Sequence, residues 1–109
     1  MNKEYILFGG SGFIGHHLVN MINEKEKVSP FVFDIKKTKS QNTNFEKVDV
    51  RSVIKTKHQP SKNAVIFNLA AVHRTPGHIS SEYFETNLLG AENICNFARE
   101  YNINTIVFT

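Results

Sequence analysis

The sequence contains a single cysteine among its 109 residues and has no long run of apolar side chains. Cys95 alone cannot form a disulfide bond within the chain, which is typical of proteins in a reducing cytoplasm. No stretch approaches the ~20 apolar residues that a membrane-spanning helix needs. The N-terminal residues lead directly into a strand pattern, so no signal peptide is predicted. We therefore expect a cytoplasmic protein without a membrane span.

Neither basic nor metal-binding side chains are concentrated in one place. The net charge is +3, and the lysines of residues 36–39 and 55–62 lack interleaved aromatic residues. We predict solvated loops there rather than a surface for nucleic acid. The five histidines are scattered without accompanying cysteines, so no metal site is predicted. Cys95 lies on an apolar helical stripe and is expected to be a buried core residue, not a nucleophile.

A glycine-rich turn lies between a strand pattern and a helix pattern. The turn, Gly9-Gly10-Ser11-Gly12-Phe13-Ile14-Gly15, follows a strand predicted over 4–8 and opens a helix predicted over 12–23, with Ser11 as N-cap. Gly9 lets the chain leave the strand sharply, Gly12 lets a pyrophosphate approach the backbone amides, and Gly15 lets the helix lie close to the strand. This order predicts a dinucleotide-binding turn.

A nucleoside triphosphate site is the competing interpretation of these glycines. Gly10 and Gly15 have the spacing of a P-loop, but His16 and His17 stand where lysine and serine or threonine are required. Without that lysine and the magnesium-binding hydroxyl, the chain has no machinery for hydrolysing ATP or GTP.

Strand patterns alternate with helical patterns along the chain. The remaining predicted elements are strands 31–33, 45–50, 64–69 and 105–108, a helix over 81–101, and a short helix or turn at 53–54. This alternation predicts an α/β fold, a Rossmann-like doubly wound parallel sheet in the order 3-2-1-4-5. Residues 1–109 are expected to form one incomplete dinucleotide-binding domain, because the chain stops on an apolar strand without a closing helix.

Apolar stripes predict which faces of the two helices pack. The first stripe is Ile14, Leu18, Met21 and Ile22, and the second is Phe84, Leu88, Ala91, Cys95 and Ala98, extended sideways by Leu89, Ile94, Phe97 and Tyr101. Because the second helix is apolar on more than one side, we expect a homo-oligomer. It would form through Leu89, Ile94 or Phe97 of the 81–101 helix, or by strand addition at 106–108.

Three polar residues are candidates for contacts with a ligand. Asp34 follows the second strand, nineteen residues after Gly15, where a carboxylate binds ribose hydroxyls and repels a 2′-phosphate. NAD is therefore favoured over NADP, although Lys36 and Lys37 could tolerate a phosphate; a simple turn is the alternative role of Asp34. Asp49 could cap a helix or bind an adenine amino group, and Asn87 could face a ligand or solvent.

Together these motifs resemble the N-terminal part of the extended short-chain dehydrogenase/reductases, the nucleotide-sugar epimerases and dehydratases. The matching segments are 9–15, Val32-Phe33-Asp34, Val48-Asp49-Val50-Arg51, Asn68-Leu69-Ala70-Ala71 and Asn87-Leu88-Leu89-Gly90-Ala91-Glu92-Asn93. They come in the family's order and span essentially the whole chain. Phe8 departs from the family's usual threonine, at a position that mainly supports the turn.

The resemblance implies a specific set of cofactor contacts. Pyrophosphate would bind the amides of Phe13 and Ile14, ribose would bind Asp34, and adenine would lie near Asp49 and Val50. The half of the dinucleotide far from the adenine would lie near Leu69-Ala70-Ala71, with Asn87 beside it. His73 and Arg74 would lie towards the sugar nucleotide. The implied cofactor-binding residues are Gly9, Gly12, Phe13, Ile14, Gly15, Asp34, Asp49, Val50, Leu69, Ala70, Ala71 and Asn87.

The family's chemistry also needs a Tyr-x-x-x-Lys pair, which this chain does not contain. Four residues after Tyr5, Tyr83 and Tyr101 come Gly9, Asn87 and Thr105. No catalytic residue is therefore predicted, and we expect binding of a dinucleotide without turnover. The first hypothesis is the NAD-binding part of a nucleotide-sugar epimerase or dehydratase that transfers hydride transiently to bound NAD. The alternatives are a non-catalytic dinucleotide-binding sensor or partner subunit, and an NADP-dependent flavin or quinone reductase of the atypical branch.

Overall fold

The computed structural model describes residues 3–70 and 84–109, in which five short strands form one parallel sheet. The elements are β1 (Tyr5–Phe8), α1 (Phe13–Glu26), β2 (Phe31–Asp34), β3 (Asn44–Lys47), β4 (Val65–Asn68), a π-helical turn (Phe84–Leu89) that continues into α2 (Gly90–Glu100), and β5 (Thr105–Phe108). Every pairing is parallel, and the strand order is β3-β2-β1-β4-β5. The predicted fold class and the order 3-2-1-4-5 are confirmed.

The sheet carries a larger core on the α2 side than on the α1 side. On the α2 side, Phe8 packs edge-to-face on Phe33 and on Phe97, with ring centroids 5.4 and 5.6 Å apart. On the α1 side, Leu7 and Val32 pack against Val19 and Ile22. Because side chains alternate between the two faces of a strand, the continuous apolar run of β1 contributes side chains to both cores.

β3 is shorter than the predicted strand 45–50. The Val48 amide still donates to the Asp34 carbonyl at 3.0 Å, but the chain then leaves the sheet in a turn in which the Ser52 amide donates to the Asp49 carbonyl at 3.2 Å. Val48 and Val50 remain buried in the core on the α2 side. Their burial explains why the apolar alternation continues beyond the strand. Residues 53–54 follow this turn and are not helical.

The predicted packing face of α1 is confirmed at Ile22 and Leu18 and wrong at Ile14 and Met21, and the predicted N-cap is wrong. Gly15, Val19 and Ile22 are buried, whereas Ile14 and Met21 are 54% and 53% exposed. A Cβ atom at Gly15 would collide with the Gly10 carbonyl, so the contact between these two glycines sets the rotation of the helix. Gly12, not Ser11, precedes the helix, which extends to Glu26 rather than ending near Asn23.

The predicted stripe of the second helix is confirmed at Ala98, which is buried, and wrong at Leu88 and Cys95. Leu88 is 63% exposed and Cys95 is half-buried, whereas Ile94 and Phe97 are buried in the chain's own core. The π-helical turn has more residues per turn than an α-helix, so a 3.6-residue pattern counted from Phe84 goes out of phase before α2. Ile94 and Phe97 are therefore not available for the predicted self-association. Residues 81–83 of the predicted helix lie outside the described residues.

None of the helices described here has the length and apolar character needed to cross a membrane.

Candidate cofactor-binding site

Most of the predicted cofactor residues in the described part of the chain lie at or just after the carboxyl ends of four neighbouring strands. The segments are Asp49-Val50 after β3, Asp34 at the end of β2, the glycine turn after β1, and Leu69-Ala70 after β4. Because the strands are parallel, these ends share one edge of the sheet. Ligands of open α/β sheets bind at this edge. Ala71, His73 and Arg74 lie outside the described residues.

Gly9 makes the turn at the point where three strands meet. Its φ is +75°, a left-handed conformation that side chains other than glycine rarely adopt. Its amide donates to the Phe33 carbonyl of β2 at 2.8 Å. A Cβ atom at Gly9 would lie 2.6 Å from the Ala70 nitrogen, after β4. The fold itself therefore requires glycine at this position.

Gly12 differs from Gly9 and Gly15 because the protein's own packing does not require it. A Cβ atom there would meet no protein atom within 4 Å, and the backbone is extended, with φ −85° and ψ −171°. Any small residue would fit the chain at this point. A glycine at Gly12 is therefore suited to the close approach of a ligand to the backbone.

The N-terminus of α1 presents backbone N–H groups without a side-chain cap. Gly12, the residue before the helix, has no side chain that could cap it, and the first turn contains no acidic residue. The first helical amide that bonds back is that of His16, which donates to the Gly12 carbonyl at 2.9 Å. The amides of Phe13 and Ile14 precede it, so the partial positive charge of the helix end is offered to an anion.

Asp34 contacts the glycine turn directly. Its Oδ2 accepts a hydrogen bond from the Ser11 amide at 3.0 Å, and its Oδ1 accepts one from the Ile35 amide at 2.7 Å. Ser11 also donates its hydroxyl to the Lys36 carbonyl at 2.6 Å, instead of capping α1. Each carboxylate oxygen keeps a further lone pair for a hydroxyl donor. Asp34 thus stabilises the turn and can still accept hydrogen bonds from the hydroxyl groups of a ribose.

Asp49 caps a turn, not a helix, and its carboxylate is held by Arg51. Arg51 Nη2 lies 2.8 Å from Oδ2, and Arg51 Nε and the Arg51 amide each lie 3.0 Å from Oδ1. Hydrogen bonding to the Arg51 side chain lowers the pKa of the Asp49 carboxyl, against a smaller opposing effect of burial. The carboxylate is therefore ionised and fixed in orientation.

Sequence reasoning assigned no role to two residues that the structure brings to this site. The Asn93 side chain of α2 donates to the Val50 carbonyl at 2.8 Å, and a Cβ atom at Gly90 would lie 2.8 Å from Val50 Cγ2. The signal was the three-residue spacing of Gly90 and Asn93, which places the two residues on one face of α2. Asn87 itself lies in the π-helical turn with an exposed side chain.

The turn after β4 completes the described part of the edge. The Leu69 amide donates to the Phe8 carbonyl at 2.8 Å, and the Ala70 amide donates to Asn68 Oδ1 at 3.1 Å. This turn therefore lies beside the start of the glycine turn. Leu69 and Ala70 are half-buried, and the backbone of Ala70 lies close to that of Gly9.

A comparison with protein families decides the family of this chain. The NAD dependent epimerase/dehydratase family matches residues 5–109. The chain belongs to this family. The predicted resemblance to the extended short-chain dehydrogenase/reductases is thereby confirmed.

Individual relatives of this epimerase/dehydratase chain are considerably longer. It is 27% identical to the decarboxylating sterol-4-alpha-carboxylate 3-dehydrogenase erg26 of Schizosaccharomyces pombe, and the match covers 100% of this chain and 34% of that protein. A crystal structure of UDP-galactose 4-epimerase superposes with a TM-score of 0.78 at 23% identity, over 96% of this chain and 37% of that one.

The UDP-glucose 4-epimerase of Thermus thermophilus in complex with NAD superposes with a TM-score of 0.74 at 24% identity, over 96% of this chain and 36% of that chain. The present chain thus spans about a third of the length of these relatives. The two structural likenesses confirm the fold of the sheet and its helices.

Proposed function

We propose that this chain is the NAD-binding part of a nucleotide-sugar epimerase or dehydratase. The observation that carries the proposal is the order of the candidate residues along the sheet edge: Asp49-Val50, Asp34, the glycine turn, and Leu69-Ala70. Adenine, ribose, pyrophosphate and the nicotinamide half follow one another in the same order within NAD. Each part of the cofactor would meet a segment with suitable chemistry.

Different residues would bind different parts of the cofactor. The uncapped amides of Phe13 and Ile14 would donate to the pyrophosphate, and Gly12 would let it approach the backbone. Asp34 would accept hydrogen bonds from the ribose hydroxyls, and its charge would repel the 2′-phosphate of NADP. Asn87, Leu69, Ala70 and Ala71 would lie towards the nicotinamide half.

Bound NAD would supply the capacity to accept and return a hydride at a sugar carbon. The residues of this chain would hold and orient the cofactor. The chain contains no Tyr-x-x-x-Lys pair, so proton transfer at the substrate hydroxyl is not assigned to it. The cytoplasm remains the expected location of the protein, on the basis of its single cysteine. Self-association through β5, whose Val107 and Phe108 are 38% and 52% exposed, stays a prediction.

The decisive test is a calorimetric titration of the purified protein with NADH and with NADPH. We expect NADH to bind more tightly, and Asp34→Ala to weaken NADH about tenfold while affecting NADPH less, because the substitution removes both a ribose acceptor and a charge that repels phosphate. Glu24→Ala, an exposed carboxylate near the far end of α1, is the matched control. Equal losses for both cofactors would remove Asp34 from the ribose role.

A second candidate is a protein that binds a dinucleotide without catalysis, as a sensor or partner subunit. The cofactor contacts proposed above fit this candidate equally well. Both candidates predict that residues 1–109 bind a dinucleotide without interconverting NAD and NADH. Sequencing the reading frame beyond Thr109 therefore separates them, because a Tyr-x-x-x-Lys pair encoded there would contradict the second candidate. A panel of nucleotide sugars and a sterol carboxylate separates the substrate classes, since the S. pombe relative is named for a sterol.

A further inference from the structure

We propose that Asn93 and Gly90 of α2 are positioning residues for the adenine end of the cofactor site, acting through Val50. The inference rests on the proposed function, because it concerns where the cofactor's base would lie. Neither residue needs to touch the cofactor. Their part is to fix the backbone from which the neighbouring carboxylate of Asp49 projects.

The first step is that Val50 lies beyond the hydrogen-bond ladder of the sheet. β3 ends at Lys47, and the amide of Val48 makes the last bond to β2. The backbone after Val48 must therefore be held by other contacts. A buried carbonyl without a partner is unfavourable, so the chain has to provide a donor for the carbonyl of Val50, whose residue is 7% exposed.

The second step is that α2 provides this donor and also packs closely against the Val50 side chain. Asn93 Nδ2 donates to the Val50 carbonyl at 2.8 Å. One turn earlier, Gly90 is buried so closely against Val50 that a Cβ atom would lie 2.8 Å from Val50 Cγ2. Two independent contacts, one polar and one steric, thus fix the same residue against the helix.

The third step connects Val50 to the adenine. Asp49 immediately precedes Val50, and its carboxylate is oriented by Arg51 at 2.8 Å. Arg51 fixes the side chain, and α2 fixes the backbone next to it. An ionised carboxylate held in this way would accept a hydrogen bond from the 6-amino group of adenine. Displacing Val50 would therefore misdirect the carboxylate and weaken recognition of that amino group specifically.

The test compares NAD with nicotinamide hypoxanthine dinucleotide, which carries an oxygen in place of the adenine 6-amino group. The affinities of both are measured by calorimetry for the wild type, Asn93→Ala, Gly90→Ala and the control Asn96→Ala. Asn96 lies on the same helix, is exposed and accepts a hydrogen bond from Arg99 Nη1 at 2.6 Å. Circular dichroism and thermal unfolding establish that each variant is folded.

We expect the wild type and Asn96→Ala to prefer NAD about tenfold, the difference of one hydrogen bond to a charged group. In Asn93→Ala and Gly90→Ala this preference should fall below about threefold. A preference retained in both variants would overturn the inference, and so would equal weakening of both dinucleotides. If Asn93→Ala does not fold, Gly90→Ala decides the outcome.

The outcomes also separate this inference from the proposed function. A wild type that binds neither dinucleotide contradicts the proposed function itself. A wild type that binds both equally leaves NAD binding intact but overturns the role of the Asp49 carboxylate, and the positioning role with it.

Discussion

The two ends of the predicted cofactor edge are built in different ways. At the glycine turn, residues 5–34 supply both strands, the turn, the helix and the carboxylate of Asp34 within one continuous stretch. At the other end, Asp49 and Val50 follow an edge strand and are held by Asn93, 43 residues away in sequence. The first end is a local motif, whereas the second depends on α2 being docked on the sheet. This difference determines what a substitution at each end disturbs.

Gly15→Ala should cause the largest loss of stability at the glycine turn. A Cβ atom there would collide with the Gly10 carbonyl, so α1 would have to move away from β1. We expect the free energy of unfolding to fall by about 2–3 kcal/mol, as for other overpacked sites. Urea denaturation of Gly15→Ala beside Gly12→Ala measures the difference. Equal stability of the two variants would contradict the close contact.

Gly12→Ala should separate binding from folding at the same turn. Because an added Cβ atom meets no protein atom within 4 Å, we expect the unfolding free energy to change by less than about 0.5 kcal/mol. The affinity for NAD should nevertheless fall about tenfold or more, since the methyl group would obstruct the pyrophosphate. Calorimetric titration checks the affinity. Unchanged NAD binding would show that the pyrophosphate does not approach Gly12.

The smallest expected effect is the loss of stability on acidification at the Asp49 end of the site. The pKa of the Asp49 carboxyl is lowered by Arg51 in the folded protein. This pair therefore contributes stability above the unfolded pKa of about 3.9 and loses it as the pH falls through the lower folded pKa. Because both side chains are partly exposed, the contribution should be a few tenths of a kcal/mol.

The isosteric variant Asp49→Asn isolates this small contribution. Urea denaturation between about pH 3 and pH 6 should show a shallower loss of stability on acidification in the variant than in the wild type. Identical pH profiles of Asp49→Asn and the wild type would argue that Arg51 does not stabilise the folded state through this carboxylate.

Sequence reasoning succeeded where one short segment determines the geometry. The turn from Gly9 to Gly15 and the position of Asp34 were predicted together with the parallel sheet, because strand, turn and helix follow one another without a break. The ends of β3 were not predicted correctly, and the packing face of α1 was predicted only in part. Val48 and Val50 continue the apolar pattern of a strand, but they lie after the end of β3 and are buried in the core on the α2 side.

The sequence by itself determined the class of fold and the glycine turn, because hydrophobic periodicity and glycine spacing are local properties of the chain. Only the tertiary structure decided how the helices are rotated and which distant residues complete the edge. The rotation of α1 follows from the Gly10–Gly15 contact, and the phase of α2 follows from the π-helical turn before it. The contact of Asn93 with Val50 forms only when α2 packs on the sheet, so the spacing of Gly90 and Asn93 could indicate a shared helix face but not that Val50 lies against it.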